Sequence, residues 1–116
     1  MIHHFEPTIY YNTIGSHKPV LHVSDGDTIM TSTVDARGQD KTGETVTRPG
    51  NPQTGPFYVE NAEPGDTLAV HLDKLTPNRP IGWTRPVVAP HILDAEYIGT
   101  VAQDIPDTET LCEWEM

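Results

Sequence analysis

The stretch "NPQTGPFYVENAEPGDTLAVHLD", residues 51–73, predicts a fold built from short strands. Proline, glycine and asparagine crowd both sides of the apolar residues 57–59, which indicates a strand at 57–60 held between tight turns. A second turn at 63–66 leads into 67–73, where Leu68, Val70 and Leu72 alternate with more polar residues. Such alternation is typical of a strand with one buried face.

The rest of the chain repeats this pattern. A turn at 24–27 separates two further predicted strands, and the tripeptide Gly-Asp-Thr at 26–28 and again at 65–67 opens a strand each time. Four prolines interrupt helix formation between 77 and 90. The further predicted strands are 19–23, 28–34 and 111–116, and a short helix is predicted within 92–98. We therefore expect an all-β protein with little helix, specifically a jelly-roll-like β-sandwich with Gly/Pro-rich turns.

Length and composition indicate a single folded domain spanning 1–116. The 116 residues suffice for one hydrophobic core but not for two. Apolar residues make up 35% of the chain, and its mean hydropathy is -0.46. The apolar residues nevertheless occur in blocks, and the 11 prolines and 9 glycines lie between those blocks. This arrangement favours a turn-rich folded chain over a disordered one.

The charge of the chain limits its partners. Seven Lys and Arg against 17 Asp and Glu give a net charge of -10 at pH 7. Electrostatic repulsion therefore disfavours nucleic acid and anionic membranes as partners. No apolar run approaches the roughly 18 residues that span a bilayer, and the single cysteine, Cys112, excludes an internal disulfide. Together these features predict a cytoplasmic protein.

Three sequence blocks carry a family resemblance. They are "VSDGDTIMTSTVDARGQD", "NPQTGPFYVENAEPGDTLAVHLDKL" and "GWTRPVVAPHILD", in that order. In combination they resemble the N-terminal part of the acetamidase/formamidase family, from about Val20 to the last residue. The resemblance implies a β-rich jelly-roll sandwich that hydrolyses the C–N bond of small linear amides, such as formamide and acetamide, to carboxylate and ammonia. Members of that family are considerably longer than this chain.

Amide hydrolysis requires an activated water, a group that polarises the carbonyl and an acid that protonates the leaving nitrogen. Asp35 matches an acidic position of the family's Thr-x-Asp-Ala block, and Glu60 follows the strand at 57–60; both are candidate catalytic residues. The alternative for Asp35 is a turn cap at a strand end. The stiff loop at 51–56 is expected to bind substrate through Asn51, Thr54 and Gly55. Cys112, between Glu113 and Glu115, is interpreted as a buried structural residue rather than a nucleophile.

A divalent metal is a further hypothesis. Asp35 and His71, on neighbouring predicted strands, are candidate ligands for zinc or calcium, and a bound metal would lower the pKa of a water ligand. The alternative for His71 is an exposed surface histidine. The chain contains neither an H-E-x-x-H motif nor cysteine pairs, which are the stronger sequence signals for zinc.

The last predicted strand, 111–116, places Cys112, Trp114 and Met116 on one face, and an apolar strand edge favours association. We therefore expect an N-terminal fragment or a separate subunit that forms a homo-oligomer or binds a second polypeptide completing the fold. On this expectation the isolated chain is inactive, or active only with the missing sequence. The alternative function is a non-catalytic β-sandwich module for binding or assembly, which the acidic composition and short length favour.

Overall fold

The computed structural model describes residues 1–84, 94–97 and 111–116. Its backbone contacts divide the chain into two compact units, Met1–Asn78 and Arg79–Met116. The described residues are mainly short strands, and the only helical residues among them are 95–97. The mainly β class predicted from the sequence is therefore confirmed. None of the helices in this described part is long and apolar enough to cross a membrane.

The first unit holds six strands that form three two-stranded sheets. They are β1 (Ile2–Phe5), β2 (Tyr10–Tyr11), β3 (Leu21–Val23), β4 (Thr28–Thr31), β5 (Gln53–Thr54) and β6 (Phe57–Val59). Strands β1 and β4 pair in parallel, as do β3 and β6, whereas β2 and β5 pair antiparallel. These two-stranded sheets are smaller than those of a jelly-roll sandwich. The jelly-roll-like β-sandwich expected from the sequence therefore stays a prediction.

Alternation along β3 and β6 separates an inner from an outer face. In the parallel register Leu21 pairs with Phe57 and Val23 with Val59, which places these four apolar side chains on one side. Phe57 also meets the ring of Phe5 edge-on, with centroids 5.5 Å apart. Apart from the prolines Pro7 and Pro52, Val23, only 8% exposed, is the one buried aliphatic or aromatic side chain among the described residues. The core of this unit is therefore small.

The second unit holds the antiparallel pair β7 (Ile81–Thr84) and β8 (Cys112–Glu115). The strand predicted at 111–116 is thus confirmed, and its Cys112 is half-buried opposite Thr84. Trp114 and Met116 remain 60% and 62% exposed, so the expected apolar face of this strand is not covered. The helix predicted within 92–98 is seen at 95–97, and its remaining residues, apart from Asp94, lie outside the described part of the chain.

One strand prediction is wrong. Residues 67–73, which carry the clearest alternation in the sequence, form no strand, and every residue from 61 to 78 is exposed. Gly-Asp-Thr therefore opens a strand at Thr28 but not at Thr67. The physical reason is the absence of a paired neighbour: alternation favours an extended conformation, but a strand also needs a second backbone to accept its hydrogen bonds. Nothing among the described residues supplies those bonds.

Candidate functional site

The outer face of the β3–β6 sheet carries a histidine–carboxylate pair. Glu60 follows β6 directly, and its backbone N–H donates to the carbonyl of Val23 at 2.8 Å, which extends the ladder by one bond. Glu60 and His22 consequently project from the same face, and His22 Nδ1 donates to Glu60 Oε1 at 2.7 Å. The imidazole also lies 4.8 Å from the ring centroid of Tyr58. The hydrogen bond to Glu60 and the ring contact with Tyr58 together orient the imidazole.

This arrangement suits proton transfer. A carboxylate accepting the Nδ1 proton selects one tautomer and leaves Nε2 as the basic nitrogen. The same geometry orients the histidine base in hydrolytic triads. The His22 and Glu60 side chains are 60% and 46% exposed, so water reaches the pair. Sequence reasoning selected Glu60 but missed His22, because only the parallel register of β3 against β6 brings them together.

Asp35 lies at the start of a turn rather than at a strand end. Its Oδ1 accepts the backbone N–H groups of Arg37 and Gln39, both at 2.9 Å. The alternative interpretation, that Asp35 caps a turn, describes these contacts. Strand β4 ends at Thr31, three residues earlier than the predicted end at residue 34, so Asp35 projects from a loop. Its catalytic role stays a prediction.

A second turn of the same form follows immediately. Asp40 Oδ1 accepts the backbone N–H groups of Thr42 and Glu44 at 2.8 and 3.2 Å, and the Thr42 hydroxyl at 2.6 Å. These bonds, led by that from the Thr42 hydroxyl, lower the pKa of the Asp40 carboxyl. The segments "DARGQ" (35–39) and "DKTGE" (40–44) are therefore a tandem five-residue repeat, visible in the sequence as Asp-x-x-Gly-[Gln/Glu].

The loop at 51–56 forms hydrogen bonds with other segments of the first unit. The backbone N–H of Asn51 donates to the carbonyl of Ala36 at 3.2 Å. The Thr54 hydroxyl donates to the carbonyl of Ser32 at 3.0 Å, while Gly55 is buried between β5 and β6. Substrate binding by Asn51, Thr54 and Gly55 stays a prediction, and these contacts give them a structural role in addition.

A cleft of about 260 Å³ lies in the first unit. The Tyr10 hydroxyl lines it and donates to the carbonyl of Pro7 at 3.3 Å. Burial raises the pKa of this phenol, and the carboxylates of Glu6 and Asp40 raise it further. The cleft was not predicted from the sequence, because its walls come from segments far apart in the chain. Its lining residues are Glu6, Pro7, Thr8, Tyr10, Ser32, Thr33, Val34, Asp40, Lys41, Val46 and Asn78.

The proposed metal ligands do not converge in this structure. His71 Nδ1 donates to Asp73 Oδ1 at 2.7 Å, and the two side chains are 90% and 63% exposed. Within residues 1–84, 94–97 and 111–116, no group of three or more His, Cys, Asp or Glu side chains could hold a metal ion. Asp35 and His71 as placed do not fit a metal site. A zinc or calcium role stays a prediction.

Comparison with protein-family models, with curated proteins and with solved structures found no match to this chain.

Proposed function

We propose that this chain belongs to an enzyme that hydrolyses small linear amides, such as formamide or acetamide, to carboxylate and ammonia. The observation that carries the proposal is the order of the three sequence blocks that resemble the acetamidase/formamidase family. The His22–Glu60 pair supports it independently, because amide hydrolysis needs a base that water can reach. On this proposal a second copy or a second polypeptide contributes to the site.

The reaction on this proposal begins with water beside His22 Nε2. Glu60 holds the opposite ring nitrogen, so Nε2 takes a proton from water as the water oxygen attacks the amide carbonyl. The negative charge that develops on the carbonyl oxygen needs hydrogen-bond donors, the function expected of the loop at 51–56. The imidazolium then returns its proton to the amide nitrogen, the C–N bond breaks, and the products are carboxylic acid and ammonia. Asp35 is the second candidate for the base.

Ammonia release from formamide and acetamide tests this proposal. We expect His22→Gln and Glu60→Gln to lower the rate by about 100-fold, the usual contribution of a positioned base. Glu63→Gln is the matched control, since Glu63 forms its hydrogen bonds with Asp66 through backbone groups and not through its carboxylate. If Asp35 is the base instead, Asp35→Asn abolishes turnover with stability nearly unchanged, while Glu60→Gln leaves the rate intact.

The assay is run on the chain alone, with zinc, with calcium and with chelator, and again with a completing polypeptide supplied. No ammonia release under any of these conditions would contradict the proposal. Activity that survives chelation in protein free of stoichiometric metal would contradict the metal hypothesis. It would not contradict the proposed amide hydrolysis.

The alternative, a non-catalytic module for binding or assembly, has one specific observation in its favour. Leu68, Val70, Leu72 and Leu75 are 69%, 73%, 75% and 88% exposed. Large apolar side chains this exposed and this close together are typical of association surfaces. If Asp35→Asn and Glu60→Gln change stability but not turnover, the non-catalytic alternative is favoured.

A further inference from the structure

The exposed segment 66–74 has the properties of a strand without a neighbour. Among the described residues, none of the backbone–backbone hydrogen bonds outside the strands involves 67–77. His71 nevertheless contacts Asp73, two positions along, and side chains at this spacing meet when they share a face of extended backbone. Residues 67–74 therefore have exposed backbone donors and acceptors together with a row of exposed leucine and valine side chains. Asp66, at the end of the segment, is hydrogen-bonded in a turn with Glu63.

The sequence of this segment is self-complementary about Val70. Its even-numbered residues read Asp66, Leu68, Val70, Leu72 and Lys74: an apolar row with a negative charge at one end and a positive charge at the other. Two such segments running antiparallel around Val70 match apolar with apolar along this row, and Asp66 of each copy with Lys74 of the other.

We propose that residues 66–74 of two copies of this chain pair as antiparallel strands centred on Val70. Leu68 of one copy then lies opposite Leu72 of the other, Val70 opposite Val70, and Asp66 opposite Lys74. Residues directly opposite in an antiparallel pair interact most strongly, and opposite charges there are favourable. On the other face Thr67 lies opposite Asp73 and Ala69 opposite His71, so no like charges meet.

Competing pairings are less favourable. Parallel pairing in register places Asp66 opposite Asp66 and Lys74 opposite Lys74, with repulsion at both ends. Shifting the antiparallel pairing by one residue places the leucine side chains of one copy on the opposite face of the two-stranded sheet from those of the other copy. The charge pattern thus selects one register and one occupant, a second copy of the chain.

Cysteine cross-linking tests the register directly. In a Cys112→Ser background, Val70→Cys should form disulfide-linked dimers, because pairing raises the local thiol concentration and brings the Cβ atoms close enough for a disulfide. We expect its yield to exceed that of Leu75→Cys by roughly tenfold. Leu75→Cys is the matched control, since Leu75 is the more exposed of the two but lies outside the paired residues.

A mixing experiment distinguishes cross-linking through this register from cross-linking through random collision. Leu68→Cys mixed with Leu72→Cys should yield the heterodimer, whereas neither variant alone should link efficiently. All four cysteine positions are exposed, so folding of the variants is not at risk. Equal linking by Leu68→Cys alone and by the mixture, or equal yields from Val70→Cys and Leu75→Cys, would overturn the proposal. The result is independent of amide turnover, because the measurement reads only association.

Discussion

Asp35 and Asp40 open two consecutive turns that differ in what surrounds their glycines. Gly38 and Gly43 occupy equivalent positions and have nearly equal positive φ values, 80° and 82°. A Cβ on Gly43 would meet nothing within 4 Å, whereas one on Gly38 would lie 2.3 Å from the carbonyl oxygen of Thr47. Alanine substitutions at these two glycines therefore distinguish the cost of backbone strain from the cost of steric overlap.

We expect Gly43→Ala to lower the free energy of unfolding by about 1 kcal/mol, the cost of placing an L-residue in the left-handed region. Gly38→Ala should cost about 3 kcal/mol, because the overlap with backbone adds to the same strain. Urea denaturation of the two variants measures both values. Equal losses of unfolding free energy in the two variants would show that the close approach of Gly38 to Thr47 does not affect stability.

Asp27 joins the start of the chain to the turn before β4. Its Oδ1 accepts from the Met1 ammonium at 2.6 Å, and its Oδ2 from His3 Nε2 at 2.8 Å and from the Ser24 N–H at 2.9 Å. The bond from the Met1 ammonium, followed by those from Ser24 and His3, lowers the pKa of this carboxyl well below its usual range.

A carboxyl whose pKa is depressed by folding stabilises the fold above its unfolded pKa of 3.8, and this contribution disappears as the pH falls towards the lower folded value. We therefore expect Asp27→Asn to be less stable than the wild type at pH 7, with a smaller difference at pH 3. Asp25→Asn, in the same turn, is the control and should match the wild type at both values. Thermal unfolding at each pH is the measurement, and a difference between wild type and Asp27→Asn that does not shrink at pH 3 would contradict the prediction.

At the scale of elements, the loop at 51–56 holds segments together as well as being a candidate binding loop. The Thr54 hydroxyl on β5 reaches the carbonyl of Ser32, just after β4, at 3.0 Å. Strand β5 itself pairs with β2. One residue thus links three segments that are distant in sequence.

Replacing Thr54 by valine keeps the shape and removes the hydroxyl donor. We expect a loss of about 1 kcal/mol in the free energy of unfolding, since the Ser32 carbonyl is left without this partner. Thr76→Val, at an exposed position, is the control and should change stability by less than about 0.5 kcal/mol. Chemical denaturation compares the two. A Thr54→Val variant as stable as the control would show that water replaces the hydroxyl without cost.

At the scale of the whole molecule, little apolar surface is buried. Apart from two prolines, Val23 is the one buried aliphatic or aromatic side chain among the described residues, while Ile14, Leu68, Val70, Leu72 and Leu75 are mostly exposed. Pairing of 66–74 between copies would bury part of this surface. Stability is then coupled to association, and association is opposed by the net charge of -10.

The melting temperature should therefore rise with protein concentration, and rise further when salt screens the repulsion between copies. Val70→Glu should abolish the concentration dependence, since it places two glutamates opposite each other at the centre of the pairing. Ile14→Glu, at a position 92% exposed and outside the segment, is the matched control and should keep it. Scanning calorimetry at low and high protein and salt concentrations makes the test, and a melting temperature independent of both would argue against the dimer.

The sequence by itself determined the strand-rich class and four of the eight strands in the described residues, because alternation and turn residues act locally. The strands at 19–23, 28–34, 57–60 and 111–116 are all present in shortened form. It also determined which residue types were available for amide chemistry, Glu60 among them. The resemblance to an amidase family and the substrate-binding loop remain predictions.

Only the tertiary structure decided which residues meet. His22 and Glu60 are 38 positions apart, and the Tyr10 cleft draws on segments from Glu6 to Asn78. The same dependence explains the failure at 67–73, where local alternation was strongest: a strand forms only where another backbone satisfies its hydrogen bonds, and periodicity carries no information about that neighbour.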